Sequence, residues 1–197
     1  MFIMLKFGKK VSFRPLIVSL ALGLLIGVMV KDIFSGSVGF IFGTTFFLLV
    51  FLGHYWRASS VLFNYWQVND GIVKYNDVNN PGNVLLMMLL PLSSPLKTFS
   101  IKDIQSITIN GDLKSASTPM AVPFSGALGL FSSSIAIAKS QNSLDVVLNN
   151  GQKINLDYSR DFVYNQKETI EKLDKFLDSL DSAKIINKAN HNVSLGY

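Results

Sequence analysis

The chain has 197 residues, no cysteine, 49% apolar and 16% charged residues, and a net charge of +5. Soluble domains run near about 25% charged residues, so the deficit points to membrane segments, and the missing cysteine excludes disulfides, thiolate catalysis and cysteine-based metal sites. Residues 1–56 carry five basic and one acidic residue and residues 57–197 thirteen and twelve, so the larger polar part lacks the basic excess that nucleic-acid binding requires.

The first apolar run, PLIVSLALGLLIGVMV, extends from Pro15 to Val30 without a charge. The second, IFSGSVGFIFGTTFFLLVFLG, covers Ile33 to Gly53. A helix crosses the hydrocarbon core with about 20 residues. The second run meets that length alone, and the first meets it if it starts at Val11 and Arg14 snorkels to the interface. A cleaved signal peptide is the alternative for the first run, but no clear cleavage site follows it before the second. Lys31 and Asp32 are the expected link of a tight hairpin. Lys6, Lys9, Lys10 and Arg14 precede the hairpin and Arg57 follows it, so the positive-inside rule places both termini in the cytoplasm. Tyr55 and Trp56 close the second span, as interfacial aromatics do.

Each run carries small residues four apart: Ser19, Gly23 and Gly27 in the first, Ser35, Gly39 and Gly43 in the second. Such ladders let helix backbones approach closely. Packing within the hairpin is the expected use, and packing against another subunit is the alternative.

Short strands are expected after Trp56. SVLFNYWQV (60–68) and IVKY (72–75) flank Asn69-Asp70-Gly71, a hairpin turn signal. NDVNNPGN (76–83) reads as a loop, and VLLMMLL (84–90) as a buried strand or an interfacial segment. TFSIKDIQSITI (98–109) alternates on either side of an irregularity at Lys102-Asp103. LDVVLN-NG-QKINLD (144–157) reads as a hairpin with a two-residue type I′ turn at Asn150-Gly151. An amphipathic helix follows, opened by Asn165 and Glu168 as a capping box. Its stripe is Ile170, Leu173, Phe176, Leu177 and Leu180, supported by Glu168/Lys172 and Glu171/Lys175 pairs. The last residues are polar and expected to fray.

The segments VNDGIVKYN (68–76), LKTFSIKDIQSITI (96–109), LDVVLNNGQKINLD (144–157) and ETIEKLDKFLDSL (168–180) together resemble the bacterial pleckstrin-homology-like (PH-like) domains that follow a pair of membrane helices. The resemblance spans residues 60 to 182. It implies an α+β membrane protein: a two-helix transmembrane hairpin (1–57), a cytoplasmic PH-like antiparallel β domain with a C-terminal amphipathic helix (58–182), and a polar tail (183–197). It further implies membrane-associated scaffolding, an envelope-stress role, or self-protection against membrane-active peptides. Lysine far outnumbers arginine and asparagine is frequent, a balance expected of an AT-rich bacterial source.

One stretch departs from a compact PH-like domain. Residues 115–138, between Lys114 and Lys139, are uncharged. A third span here would split the strands from the helix that must cover them. The expectation is an insertion that touches the bilayer through Phe124, Leu128, Leu130, Phe131, Ile135 and Ile137. A segment folded over the domain or covering another subunit is the alternative.

No catalytic constellation emerges. His54 falls at a span boundary and His191 in the tail, with no metal-ligand spacing to an acid. Ser94 and Lys97 form a lone SxxK without partner motifs, and SGALG (125–129) lacks the Lys-Ser/Thr of a P-loop. Asp70, Asp77, Asp112 and Asp157 fall at turns or strand ends, where Asp is ordinary. The first β-hairpin offers only Lys74 to an anionic headgroup. The sequence therefore leads to a non-enzymatic, membrane-anchored interaction or scaffolding module of a bacterial cell envelope, with no cofactor or metal. Its expected partners are the lipid bilayer, an unidentified protein or peptide, and a second copy of the chain. The alternatives are an immunity protein against a membrane-active bacteriocin and an accessory subunit of a membrane transporter.

Overall fold

The computed structural model describes residues 4–93, 96–111, 142–180 and 185–187. The chain divides into two compact units. One comprises 1–9, 64–76 and 96–197, and the other 10–63 and 77–95.

The first unit contains two four-stranded sheets. Strands β1 (Leu5–Gly8), β2 (Tyr65–Asn69), β3 (Ile72–Tyr75) and β4 (Lys97–Ser100) form an antiparallel meander in chain order. The sequence reading has no strand ahead of the apolar runs. Yet Leu5 pairs with Val68 and Gly8 with Tyr65, and the alternation of Leu5 and Phe7 with Lys6 buries one face. Asp70 and Gly71 both take positive φ, 51° and 75°, as a two-residue I′ turn requires.

The irregularity at Lys102-Asp103 is the passage between sheets. Ser100 and Asp103 cap a short 3₁₀ turn over Ile101–Asp103. Strand β5 (Ile104–Asn110) then starts the second sheet, with a bulge between Ile104 and Ser106. Strands β6 (Ser143–Leu148) and β7 (Lys153–Asp157) follow antiparallel. Their turn differs from the I′ expectation, because Asn150 is not at positive φ while Gly151 is, at 82°. The Gly151 amide donates to Leu148 O (2.8 Å) and the Leu148 amide to Gln152 O (2.9 Å). This is a three-residue loop closed by a left-handed glycine. Strand β8 (Ile185–Asn187) joins β5 in parallel at Ile107–Ile109, inside the segment expected to be a polar tail.

Among the described residues two helices complete this unit: α5 (Ser159–Tyr164), which the sequence reading did not separate, and α6 (Gln166–Leu177). Asn165 Oδ1 accepts from the Glu168 amide (3.4 Å) and Asn165 Nδ2 donates to Glu168 Oε2 (2.7 Å). Lys172 Nζ lies 2.7 Å from Glu168 Oε1. Leu173, Phe176 and Leu177 are buried, with Ile170 and Leu180 packed at the edge. The core centres on Trp66, whose ring stacks on Phe7 (centroids 3.9 Å apart) and meets Phe176 edge-on (5.6 Å). Its indole N–H donates to Asp157 O at 3.0 Å, so the buried donor is satisfied.

The second unit is helical. Helix α1 is Arg14–Ile33, α2 is Gly36–Leu48, and Leu49–Trp56 continues α2 with π-type turns. The link is Phe34-Ser35 and not Lys31-Asp32. Ser35 is extended and its hydroxyl accepts from the Val38 amide, capping α2, while Lys31 stays in the last turn of α1, where a cation suits the helix dipole. Short α3 (Ser59–Leu62) occupies the start of the stretch expected as a strand from residue 60. Helix α4 (Pro81–Leu89) overturns the expected loop and, of the two readings of 84–90, the buried strand. Asn80 Oδ1 accepts from the Gly82 amide (2.9 Å), and Pro81 occupies the first turn. Asn-Pro is thus an N-cap signal here, and not a loop signal.

Candidate membrane-embedded interface

Arg14–Ile33 and Gly36–Trp56 are each long and apolar enough to cross a membrane. Only 11% and 17% of their most apolar windows are buried, so their side chains are not consumed in a protein core. Ile17, Leu24, Met29, Phe40 and Ile41 are all exposed.

The faces that meet are lined by glycine. A Cβ built on Gly23 would lie 2.9 Å from Gly43 O, and one on Gly43 would lie 2.8 Å from Gly23 O. At Gly39 it would meet Gly27 O at 2.6 Å and Lys31 Cβ at 2.7 Å. Both backbones therefore approach closer than any side chain allows. Ser19 is fully buried at the same helix spacing, and its Oγ has no hydrogen-bond partner among the described residues. The structure brings Gly23, Gly27, Gly39 and Gly43 together. It does not bring Ser35 to them: that residue is exposed at the tip and serves as a cap.

At the other end of the hairpin, Phe51, Tyr55 and Phe63 bury Val84, Met87 and Met88 of α4. Val11, Leu16, Val18, Phe47, Val50 and Trp56 pack around this cluster. Arg14 stands beside the Tyr55 hydroxyl. The sequence reading gave α4 no site. Its signal was the uncharged run from Val78 to Leu96 combined with the Asn80 cap.

The contacts expected of Phe124, Leu128, Leu130, Phe131, Ile135 and Ile137 fall outside the described residues. So do His191, Asp112 and Ser94.

In the β unit two half-buried carboxylates accept hydrogen bonds from the fold itself. Burial pushes the Asp157 carboxyl up to about 6, opposed by hydrogen bonds from Ser159 and reinforced by Asp161. Oδ1 accepts from the Ser159 amide (2.9 Å) and Oδ2 from the Ser159 hydroxyl (3.2 Å). Burial also raises Asp161, against the Gly8 amide that donates to its Oδ2 at 2.8 Å. On the second sheet, the amide groups of Asn110 and Asn155 hold Asp145 at 2.6 and 2.7 Å. Among the described residues no group of three His, Cys, Asp or Glu could hold a metal ion.

No known protein family, curated protein or solved structure matches this chain.

Proposed function

We propose that the chain is a non-enzymatic, membrane-anchored interaction module of a bacterial envelope, in which a PH-like domain is held at the cytoplasmic face by a hairpin looped out of its own first sheet. The carrying observation is the register of β1 on β2. Gly8, ahead of the hairpin, pairs with Tyr65, behind it. Unpaired backbone is not tolerated in hydrocarbon, so an open sheet with free edges cannot be strung across a bilayer. The hairpin must therefore leave and re-enter on one side, which is what two crossings accomplish. Lys6, Lys9, Lys10, Arg14 and Arg57 gather at its two ends, whereas beside the Phe34-Ser35 tip Lys31 is offset by Asp32, an asymmetry that supports cytoplasmic ends.

Two observations support the PH-like reading. An antiparallel four-stranded meander is followed by a second sheet built on a three-stranded antiparallel meander. A C-terminal amphipathic helix then meets the core through Phe176 and Trp66. Both oxygens of the half-buried Asp157 and Oδ2 of Asp161 accept from backbone and hydroxyl donors within the fold, which supports a binding role over acid–base chemistry. The bilayer is one partner. The other is a protein or peptide captured by the β domain or by the insertion.

Reporter fusions at Met1 and Tyr197 test the anchoring, and both must report the cytoplasm. Photo-crosslinking groups placed one at a time on exposed strand positions such as Lys153 test the interaction. A discrete adduct in intact membranes supports the module, and its absence at every exposed position contradicts it.

A further inference from the structure

The chain from Val78 to Leu96 contains no charge. Helix α4 within it is nine residues long, about 13 Å, too short to cross a bilayer. Its inward face is fixed by Phe51 and Tyr55, which belong to the final turns of the second span. That contact sets α4 level with the end of the span, where Trp56 packs on the same cluster, Arg14 stands beside Tyr55 and Arg57 follows Trp56 in the chain, the residue types that mark a membrane–water boundary. Its other face and the turn behind it expose Leu85, Leu89, Leu90 and Leu92, at 39%, 41%, 53% and 87%. In water this run of leucines would be an uncovered apolar patch.

We propose that Pro81 to Leu92 is a monotopic membrane element, seated at the boundary of headgroups and acyl chains with its leucines pointing into lipid. The occupant of the leucine face is the bilayer, because the same unit already carries the spanning hairpin and α4 packs against its end. The segment has no basic residue, so it recognises the apolar boundary and not an anionic headgroup. The gain is orientation. A second attachment beside the hairpin stops rotation of the anchor about its own axis. The element rests on the proposed spanning of the hairpin, and the test separates the two.

The natural absence of cysteine allows a single nitroxide at Leu89→Cys, Leu92→Cys, Leu24→Cys or Lys153→Cys in the full chain, reconstituted in phosphatidylcholine vesicles. The readout is collision with oxygen against collision with a water-soluble nickel complex. Labels at Leu89 and Leu92 should favour oxygen, at a depth between Leu24 in mid-span and Lys153 in water, and adding phosphatidylglycerol should leave that depth unchanged. If the Leu24 label favours oxygen while Leu89 and Leu92 match Lys153, the element is refuted and the anchor stands. Shielding of both leucine labels from both reagents would mean that protein covers the face, which also refutes it. Insertion only with phosphatidylglycerol would overturn the apolar-boundary reading. A Leu24 label that reads water would refute the anchor itself.

Discussion

Gly8 and Asp161 lie 153 positions apart in the chain, and the Gly8 amide donates to Asp161 Oδ2 at 2.8 Å. The contact locks the strand that precedes the hairpin to the helix that follows the last antiparallel strand. It also needs glycine. Gly8 has φ of 73°, and a Cβ there would collide with Asn64 O. Asp161→Ala should cost about 1–3 kcal/mol by stranding a partly buried donor, and Gly8→Ala should cost more because the backbone must move as well. Asp161→Asn, which keeps an acceptor oxygen, should retain most of the stability. Chemical unfolding of the full chain in detergent measures all three, and equal stability of Asp161→Ala and the parent would remove the lock.

The hairpin offers a matched pair of glycines. A Cβ at Gly39 meets backbone at 2.6 Å, whereas one at Gly36 meets nothing within 4 Å. Gly39→Ala should force the helices apart at an overpacking cost of about 1–3 kcal/mol, and Gly23→Leu should be worse. Gly36→Ala should be neutral or slightly stabilising. The comparison is a thermal melt in one detergent. Indistinguishable melting of the Gly39 and Gly36 variants would mean the glycine faces do not pack.

Asp157 makes stability fall as pH rises. Its folded carboxyl titrates at about 6 against 3.8 in the reference state, so the folded chain binds the proton more tightly. The associated stability is fully present below about pH 4 and lost as pH rises through about 6, by about 3 kcal/mol in all. Asp161, raised in the same direction, adds to the trend. Asp157→Asn should fold and should lack most of the decline between pH 4 and 7. A variant with the parent's full pH dependence would assign the decline to other groups.

At the second turn only Gly151 needs positive φ. Gly151→Val should destabilise the β unit by about 1–3 kcal/mol. Gly151→Asn should cost less, because Asn tolerates that region. Asn150→Ala should lose only the Gln152 amide bond to Asn150 Oδ1 at 2.9 Å. A Gly151→Val melt equal to the parent's would refute the turn geometry.

Periodicity and turn chemistry made much of this architecture legible. The apolar runs, the Asp70-Gly71 hairpin, the β6–β7 hairpin and the Leu173–Phe176–Leu177 stripe all depend on local patterns. What escaped was non-local or end-determined. Leu5–Gly8 is a strand only because β2 lies beside it. Ile185–Asn187 is one only because β5 does, and three residues hold too little pattern to show it. Met87 and Met88 read as part of a buried strand or an interfacial segment, and the helix escaped because the Asn80-Pro81 cap was counted as loop. In the hairpin, glycine spacing located the contact face, but only the position of the turn decided that Gly27 meets Gly39 while Ser35 caps.

The central claim is that residues 10–63 leave the β unit, cross the bilayer twice and return to the same side. The direct measurement is the sidedness of two single cysteines, Phe34→Cys at the exposed tip of the hairpin and Lys153→Cys on β7, probed with a membrane-impermeant thiol reagent in intact cells and after permeabilisation. The account predicts that Phe34→Cys labels in intact cells and that Lys153→Cys labels only once the membrane is opened. Labelling of both positions from the same side would contradict it.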